Sequence, residues 1–345
     1  PTIFFLIQTT ENDMLRSLVG SEMCIRDSHI IGAINCPVLS DLEREKVGTI
    51  YKRESTFKAR IIGSSLTARN IAKHIEERFS EYKGSWQPLV YCWRGGQRSK
   101  AFAIILSEVG WRTQQLEGGY KEYRNHVLEF MDNIGSKLKI ILISGKTGSA
   151  KTKILHSIAQ QGGQILDLEG LANHKGSLLG KIPNFNQPSQ KFFESKLYYQ
   201  LKKLNLRKRI FVEAESSKIG NIHIPKTIWA KMIVSPRIEI KADIHLRSNF
   251  LVKDYEYMCK NPELINPIIF GLKKRLSKQL VDSWKELINQ KKWQELTTSF
   301  LENHYDPSYS SNTIKNDRKV IKEIKALSFN SSEITKIANS IIKDI

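Results

Sequence analysis

Lys139-Ile-Ile-Leu-Ile-Ser144, followed at once by Gly145-Lys-Thr-Gly-Ser-Ala-Lys151-Thr152, is the stretch from which the fold can be read. The opening run is almost unbroken in its apolar character, the kind of strand that a parallel sheet covers on both faces. Glycines then open the chain, and Lys151-Thr152 leads into a helical pattern. Strand, loop and helix therefore arrive in the order that a phosphate-binding loop requires, with main-chain N–H groups at a helix start turned toward an anion. In such a loop Gly145 and Gly148 supply the turn, Lys151 meets phosphate oxygens and Thr152 is a candidate Mg²⁺ ligand. One position departs from the usual pattern. Ala150 stands where a glycine normally precedes the lysine, and its methyl either crowds the phosphate or sits at a backbone angle that alanine disfavours.

Downstream, Gly163-Gln-Ile-Leu166, Arg209-Ile-Phe-Val212 and Ile238-Glu-Ile240 read as further strands separated by helical stretches, the alternation of an α/β fold. Acids at or just beyond two of these strands, Asp167 and Glu213 with Glu215, are candidates for holding a metal-bound water; a helix cap or a lysine partner is the competing role for each. From about Phe250 the pattern is amphipathic, helical and rich in lysine. The expected units are thus a P-loop NTPase-like α/β domain over 137–245 and its helical C-terminal extension over 246–345. Upstream, the turn formers Asp132-Asn-Ile-Gly135 predict a boundary that closes a first parallel-sheet domain over 1–132.

That first domain has its own strand–loop–helix. Leu89-Val-Tyr91 stops at Cys92-Trp-Arg-Gly-Gly-Gln-Arg98-Ser99, a helix is expected from Ser99 to Val109 before Gly110, and Thr113–Leu116 and Glu117-Gly-Gly-Tyr120 give a short strand and a turn. The loop suits an anion. The Gly95-Gly96-Gln97 backbone can turn N–H groups toward the sulfur, and the helix start with Arg94 and Arg98 favours a thiolate. It resembles the active-site loop of rhodaneses, which carry sulfur or selenium on such a cysteine, although phosphatases with a Cys-x5-Arg loop share the logic. Cys24, Cys36 and Cys259 read as structural thiols.

The 345 residues hold 54 Lys+Arg against 35 Asp+Glu, a net charge of +19 that favours a polyanionic partner, nucleic acid first. Lysines dispersed over solvated faces are the plain alternative, including for the dense run Lys202, Lys203, Arg207, Lys208 and Arg209. Four cysteines without a CxxC pair give neither a disulfide framework nor a zinc ribbon, which suggests a reducing compartment and hence the cytoplasm. No apolar run approaches the roughly 20 residues of a membrane span.

A rhodanese loop and a P-loop in one chain resemble the tRNA 2-selenouridine synthase family. The likeness extends through His29-Ile-Ile-Gly-Ala-Ile-Asn-Cys-Pro37, Glu43–Lys52, Leu116-Glu-Gly-Gly-Tyr-Lys121, Asp167–Ser177, Phe193-Glu194, Glu213–Gly220 and His304-Tyr-Asp-Pro307, in that order, over about residues 29 to 310. The resemblance implies an α/β protein with a rhodanese-like domain before the P-loop domain. It implies geranylation of 2-thiouridine at the tRNA wobble position by geranyl diphosphate, then replacement of the geranylated sulfur by selenium from selenophosphate, carried on Cys92. No tightly held cofactor is implied beyond a candidate Mg²⁺. The P-loop is then expected to grip the diphosphate of the geranyl donor, and Trp93 either stacks on the target base or packs beneath the loop.

One region departs from the family. Before His29 a strand leading to an Asp-x-Arg segment is expected, and Ser17-Leu-Val-Gly-Ser-Glu-Met-Cys-Ile-Arg-Asp-Ser28 resembles translated sequencing-adapter read-through instead. A first sheet lacking its central strand is the expectation, with residues 1–28 atypical. Two rival functions follow from the residues: a rhodanese-type sulfurtransferase fused to a P-loop kinase or ATPase acting on a small molecule, and an RNA-binding protein with degenerate loops.

Overall fold

The computed structural model describes residues 16–20, residues 29–309 except 178, 184, 215, 268 and 270–275, and residues 319–344. They divide into two compact units. One holds the described residues up to Phe130 together with Pro188–Tyr199; the other holds Met131–Gln187 and the described residues from Gln200 onward. The segment Pro188–Tyr199, which the sequence alone put in the second domain, clusters with the first.

The first unit is built on a parallel sheet of β1 (Arg16–Gly20), β2 (Ile34–Asn35), β3 (Gln87–Tyr91) and β4 (Gln114–Gln115), in the order β2-β1-β3-β4. The backbone of Arg16–Gly20 pairs along its whole length with Gln87–Tyr91 and at two positions with β2, so the expectation of a missing central strand is corrected. Cys24 and the rest of residues 1–28 lie outside the described residues. Helices α1 (Asp41–Arg53), α2 (Thr56–His74), α3 (Gln97–Glu108) and α4 (Gly119–Ile134) accompany the sheet. Ser40 caps α1 reciprocally with Glu43, so the helix start is fixed by residues adjacent in sequence. Phe79, Trp86, Phe102, Leu106 and Trp111 fill the core between helices and sheet. Helix α4 continues through Asp132-Asn-Ile134, where a turn was expected. Asp132 and Asn133 are exposed while Ile134 is buried, so the amphipathic pattern outlasts the turn-forming residues.

The second unit carries a fully parallel five-stranded sheet in the order β11-β10-β5-β7-β6. The central strand is β5 (Ile140–Ser144), flanked by β7 (Ile210–Glu213) and β10 (Arg237–Lys241), with β6 (Gln164–Leu166) outside β7. All five residues of β5 are buried, which is why the run reads as continuously apolar. The C-terminal region, expected to be mainly helical, also contributes a strand: β11 (Val320–Lys325) pairs in parallel with β10. Its alternation of half-buried and exposed residues is that of an edge strand, on which Glu323 and Lys325 face solvent while Lys322 is half-buried on the side of Val320 and Ile324. The helix Ser331–Lys343 then returns Ile334, Ile337 and Ile341 onto Ile154, Leu155 and Ile158 of α5 (Lys151–Gln160), completing the core around β5. A second apolar cluster joins helices Lys278–Asn289 and Trp293–Phe300 through Trp284, Leu296 and Phe300. Among the described residues no helix is long and apolar enough to cross a membrane.

Candidate active site

In the first unit, β3 delivers Cys92 buried at the strand end, 2% exposed. Gly95 turns the chain at φ +65°, and a Cβ there would come within 2.9 Å of Gly118 N and Leu116 O. The opposing turn holds the loop from outside: Tyr120 N–H donates to Cys92 O at 2.8 Å and Lys121 N–H to Trp93 O at 2.9 Å. Gly119, at φ +60°, approaches Cys92 O and Gly95 N so closely that no side chain can be accommodated. Thus the Glu117–Tyr120 turn is the second wall of the site.

The sulfur accepts hydrogen bonds from Gly96 N–H at 3.1 Å and from the Ser99 hydroxyl at 3.2 Å. Ser99 is fully buried, and Gln115 Nε2 donates to its hydroxyl at 2.8 Å and to Gly95 O at 2.6 Å. Burial is the largest influence on the thiol and pushes its pKa up; the Ser99 hydroxyl and the main-chain N–H groups of Ser99, Arg94 and Gly96 outweigh it and hold Cys92 below an ordinary thiol. Cys36 is pushed up to about 11, burial outweighing Arg78, and burial likewise raises Cys259. Of the described cysteines only Cys92 is shifted toward the thiolate.

The expected cradle changes in kind. Arg94 reaches the sulfur through its main-chain N–H while its side chain is exposed; Gln97 is exposed and Arg98 half-buried. Trp93, 36% exposed, stacks on Tyr120 at 5.3 Å, and Lys191 Nζ lies 5.7 Å from its ring. Lys191 belongs to α7 (Gln190–Lys203), which also brings Glu194 into an ion pair with Arg124.

In the second unit, β5 ends at Ser144 and the loop runs through Gly145 (φ +155°) and Gly148 (φ +85°) to α5. Ala150 lies in the left-handed region at φ 55°, ψ 29°, so its cost is backbone strain. It stands at the N-cap with no side chain capping α5, leaving the first N–H groups of that helix to an incoming acceptor. Lys151 Nζ folds back to Gly145 O at 3.0 Å.

Around this loop lies a cleft of about 450 Å³, lined by Lys151, Thr152, Asp167, His174, Lys175 and Glu213 among others. Asp167 caps α6 (Leu168–Ala172) by accepting from Gly170 N–H at 2.7 Å, and meets His156 at 2.8 Å. Glu213 ends β7, 2% exposed, beside the loop. Glu215 lies outside the described residues. The structure adds Asp306, which accepts from Lys146 of the loop at 3.0 Å and twice from Arg247 at 2.8 Å. Arg247, only 3% exposed, also donates to Thr147 O, so His304-Tyr-Asp-Pro307 braces the phosphate loop.

Residues 136–332 match the family model described as the tRNA 2-selenouridine synthase AAA domain. A tRNA 2-selenouridine synthase of Shewanella sediminis (strain HAW-EB3) is 32% identical over 83% of this chain and 84% of its own length. This chain belongs to the tRNA 2-selenouridine synthase family. Relatives of that name from Shewanella frigidimarina (strain NCIMB 400), 31% identical over 84% of this chain and 86% of their own, and Salmonella heidelberg (strain SL476), 32% over 81% and 83%, agree.

For a family member, sequence reasoning missed Ser99, which donates to the sulfur, Gln115, which steadies Ser99 and the loop carbonyls, and the role of Asp306 with Arg247, which hold the P-loop. Ser99 was legible, being one helical turn after the loop. Gln115 carries no local pattern, and Asp306, although part of the His304-Tyr-Asp-Pro307 motif, joins the phosphate loop only by folding.

Proposed function

We propose that this chain acts on tRNA, replacing sulfur by selenium in 2-thiouridine at the wobble position through a geranylated intermediate. The first unit is read as rhodanese-like and the protein as cytoplasmic. The observation that carries the proposal is the Cys92 sulfur, buried yet held below an ordinary thiol by three main-chain N–H groups and a serine hydroxyl. Such a site stabilises an anionic sulfur, and the same donors would stabilise the anionic selenium of selenophosphate brought beside it. At the other loop, the uncapped start of α5, Lys151 and Thr152 suit the diphosphate of geranyl diphosphate. There the 2-thio sulfur attacks the geranyl carbon, a C–S bond forms and diphosphate leaves. Selenium of selenophosphate then attacks C2 of the uridine, the geranylated sulfur leaves as geranyl thiol, and water takes the phosphoryl group from selenium as phosphate.

Thr152 and the buried carboxylate of Glu213 form a donor set that fits Mg²⁺, which takes its remaining ligands from phosphate and water. When bound, the ion would neutralise charge on the leaving diphosphate. Asp167, engaged as a cap and with His156, is the weaker candidate. The exposed Lys202, Lys203, Arg207, Lys208 and Arg209 suit tRNA phosphates.

The test is incubation with thiolated tRNA, geranyl diphosphate and selenophosphate, followed by nucleoside mass spectrometry. Both geranylated and selenated uridine are expected. If neither forms in folded protein, or ATP is turned over without tRNA instead, the proposal fails.

A further inference from the structure

Beside the phosphate cleft lies a second, smaller cavity of about 60 Å³, lined mainly by apolar side chains. Thr147, Ser177, Leu251, Tyr255 and Tyr305 line both, so the two spaces meet across a shared wall. The polar groups on that wall are engaged with one another: Ser177 Oγ lies 3.2 Å from the Tyr255 hydroxyl, and Tyr305 hydrogen-bonds the same serine. Burial pushes the Tyr255 phenol well above its ordinary range, and that of Tyr305 up to about 12, so both stay neutral hydroxyls. Beyond them Met258, Ile265, Leu296 and Phe300 are buried members of the apolar cluster formed by the C-terminal helices. Among the described residues, the polar groups added on this inner side are the Thr297 hydroxyl, the Trp293 indole N–H and the Cys259 thiol.

We infer that this cavity takes the hydrocarbon of the ligand whose diphosphate sits on the P-loop, and that its inner wall limits the chain length accepted. The inference rests on the diphosphate reading of that loop. A nucleobase presents ring nitrogens and an amino group, each of which loses water on entry and needs a partner. The inner wall offers almost none. A branched hydrocarbon loses nothing there and leaves water for apolar contact, which is favourable in proportion to area. At about 10–15 Å³ of such space per water, the cavity has room for about four to six water-sized groups, which is one isoprene unit; the outer half of a geranyl chain enters it while the inner half stays in the phosphate cleft, and a longer chain has no room. The helices Glu256–Lys260 and Trp293–Phe300, distant from the loop in sequence, therefore act as the specificity element of the site.

Calorimetric titration of the full chain with inorganic diphosphate, geranyl diphosphate, farnesyl diphosphate and ATP tests this. Geranyl diphosphate is expected to bind at least about tenfold more tightly than inorganic diphosphate, with farnesyl diphosphate weaker than geranyl. Thr297→Trp, at a half-buried position that tolerates change better than the core, should erase the geranyl advantage and leave inorganic diphosphate binding within about twofold. Met258→Ala should improve farnesyl relative to geranyl diphosphate, with circular dichroism confirming that the variant is folded. Equal binding of geranyl and inorganic diphosphate by the unmodified protein, or a geranyl advantage that survives Thr297→Trp, overturns the inference while leaving the diphosphate reading standing. Failure of every diphosphate to bind overturns both.

Discussion

The two loops of this protein share one construction and differ in the origin of their anion. Each follows a buried parallel strand, turns through a positive-φ residue and opens a helix that has no side-chain cap. In the first unit the acceptor is built in: Cys92 Sγ takes the N–H of Gly96, so the loop is complete in itself. In the second, no acidic or thiol side chain stands among Gly145–Thr152, and Lys151 turns back on Gly145 O. The same orphan donors thus make a nucleophile site where the chain supplies sulfur and a binding site where it supplies none.

The sharpest way to break the comparison is Cys92→Ser, which should lower selenation by about 10³-fold or more, since the anionic sulfur itself is removed, while geranylation stays within about twofold. Equal loss of both would mean the loops do not divide the chemistry. Lys151→Ala should lower geranylation by about 10²-fold and spare selenation of tRNA geranylated beforehand. Nucleoside mass spectrometry reads both.

Asp306→Asn tests how the second loop is held. Arg247 is almost fully buried, and replacing its carboxylate partner should cost about 2–3 kcal/mol in denaturant unfolding, less than for a wholly buried pair because Asp306 is partly exposed. Burial pushes Asp306 up, but Arg247 and Lys146 prevail and hold its carboxyl below the usual range. Its folded pKa is therefore depressed, so the stability it contributes is present above the ordinary carboxylate pKa and is lost as pH falls through the lower folded value. The Asn variant should lack that acid-limb loss.

Ala150→Gly relieves a left-handed alanine and should stabilise the second unit by about 1 kcal/mol, read as a rise in its unfolding midpoint. No gain would mean the methyl's burial, at 4% exposure, offsets the strain. The smallest effect is expected from Ser99→Ala. The thiolate should persist through the main-chain N–H groups, but the pH profile of Cys92 alkylation should move upward, because a hydroxyl that favours the thiolate is gone. An unchanged profile would leave the backbone as the whole cradle.

The local order of both sites was legible because each is a continuous strand–loop–helix. Buried parallel strands reveal themselves as apolar runs, as in Ile140–Ser144, and glycines mark the turns. Asp132–Ile134 misled because turn-forming residues on the exposed face of a helix look the same as a turn. The strand Val320–Lys325 hid among lysine-rich helices because an edge strand needs only one apolar residue in two, and its partner, β10, lies about eighty residues earlier.

By itself, then, the sequence determined an α/β chain with a cysteine loop, a phosphate loop and an ordered set of motifs that place it in its family. Tertiary structure alone decided that Gln115 steadies Ser99, that Asp306 and Arg247 brace the P-loop, and that an apolar cavity adjoins the phosphate cleft. The physical reason is range. Backbone geometry and strand burial are written in neighbouring residues, whereas a hydrogen bond from residue 115 to 99, an ion pair from 247 to 306, or a wall made from three separate helices exists only after the chain has folded.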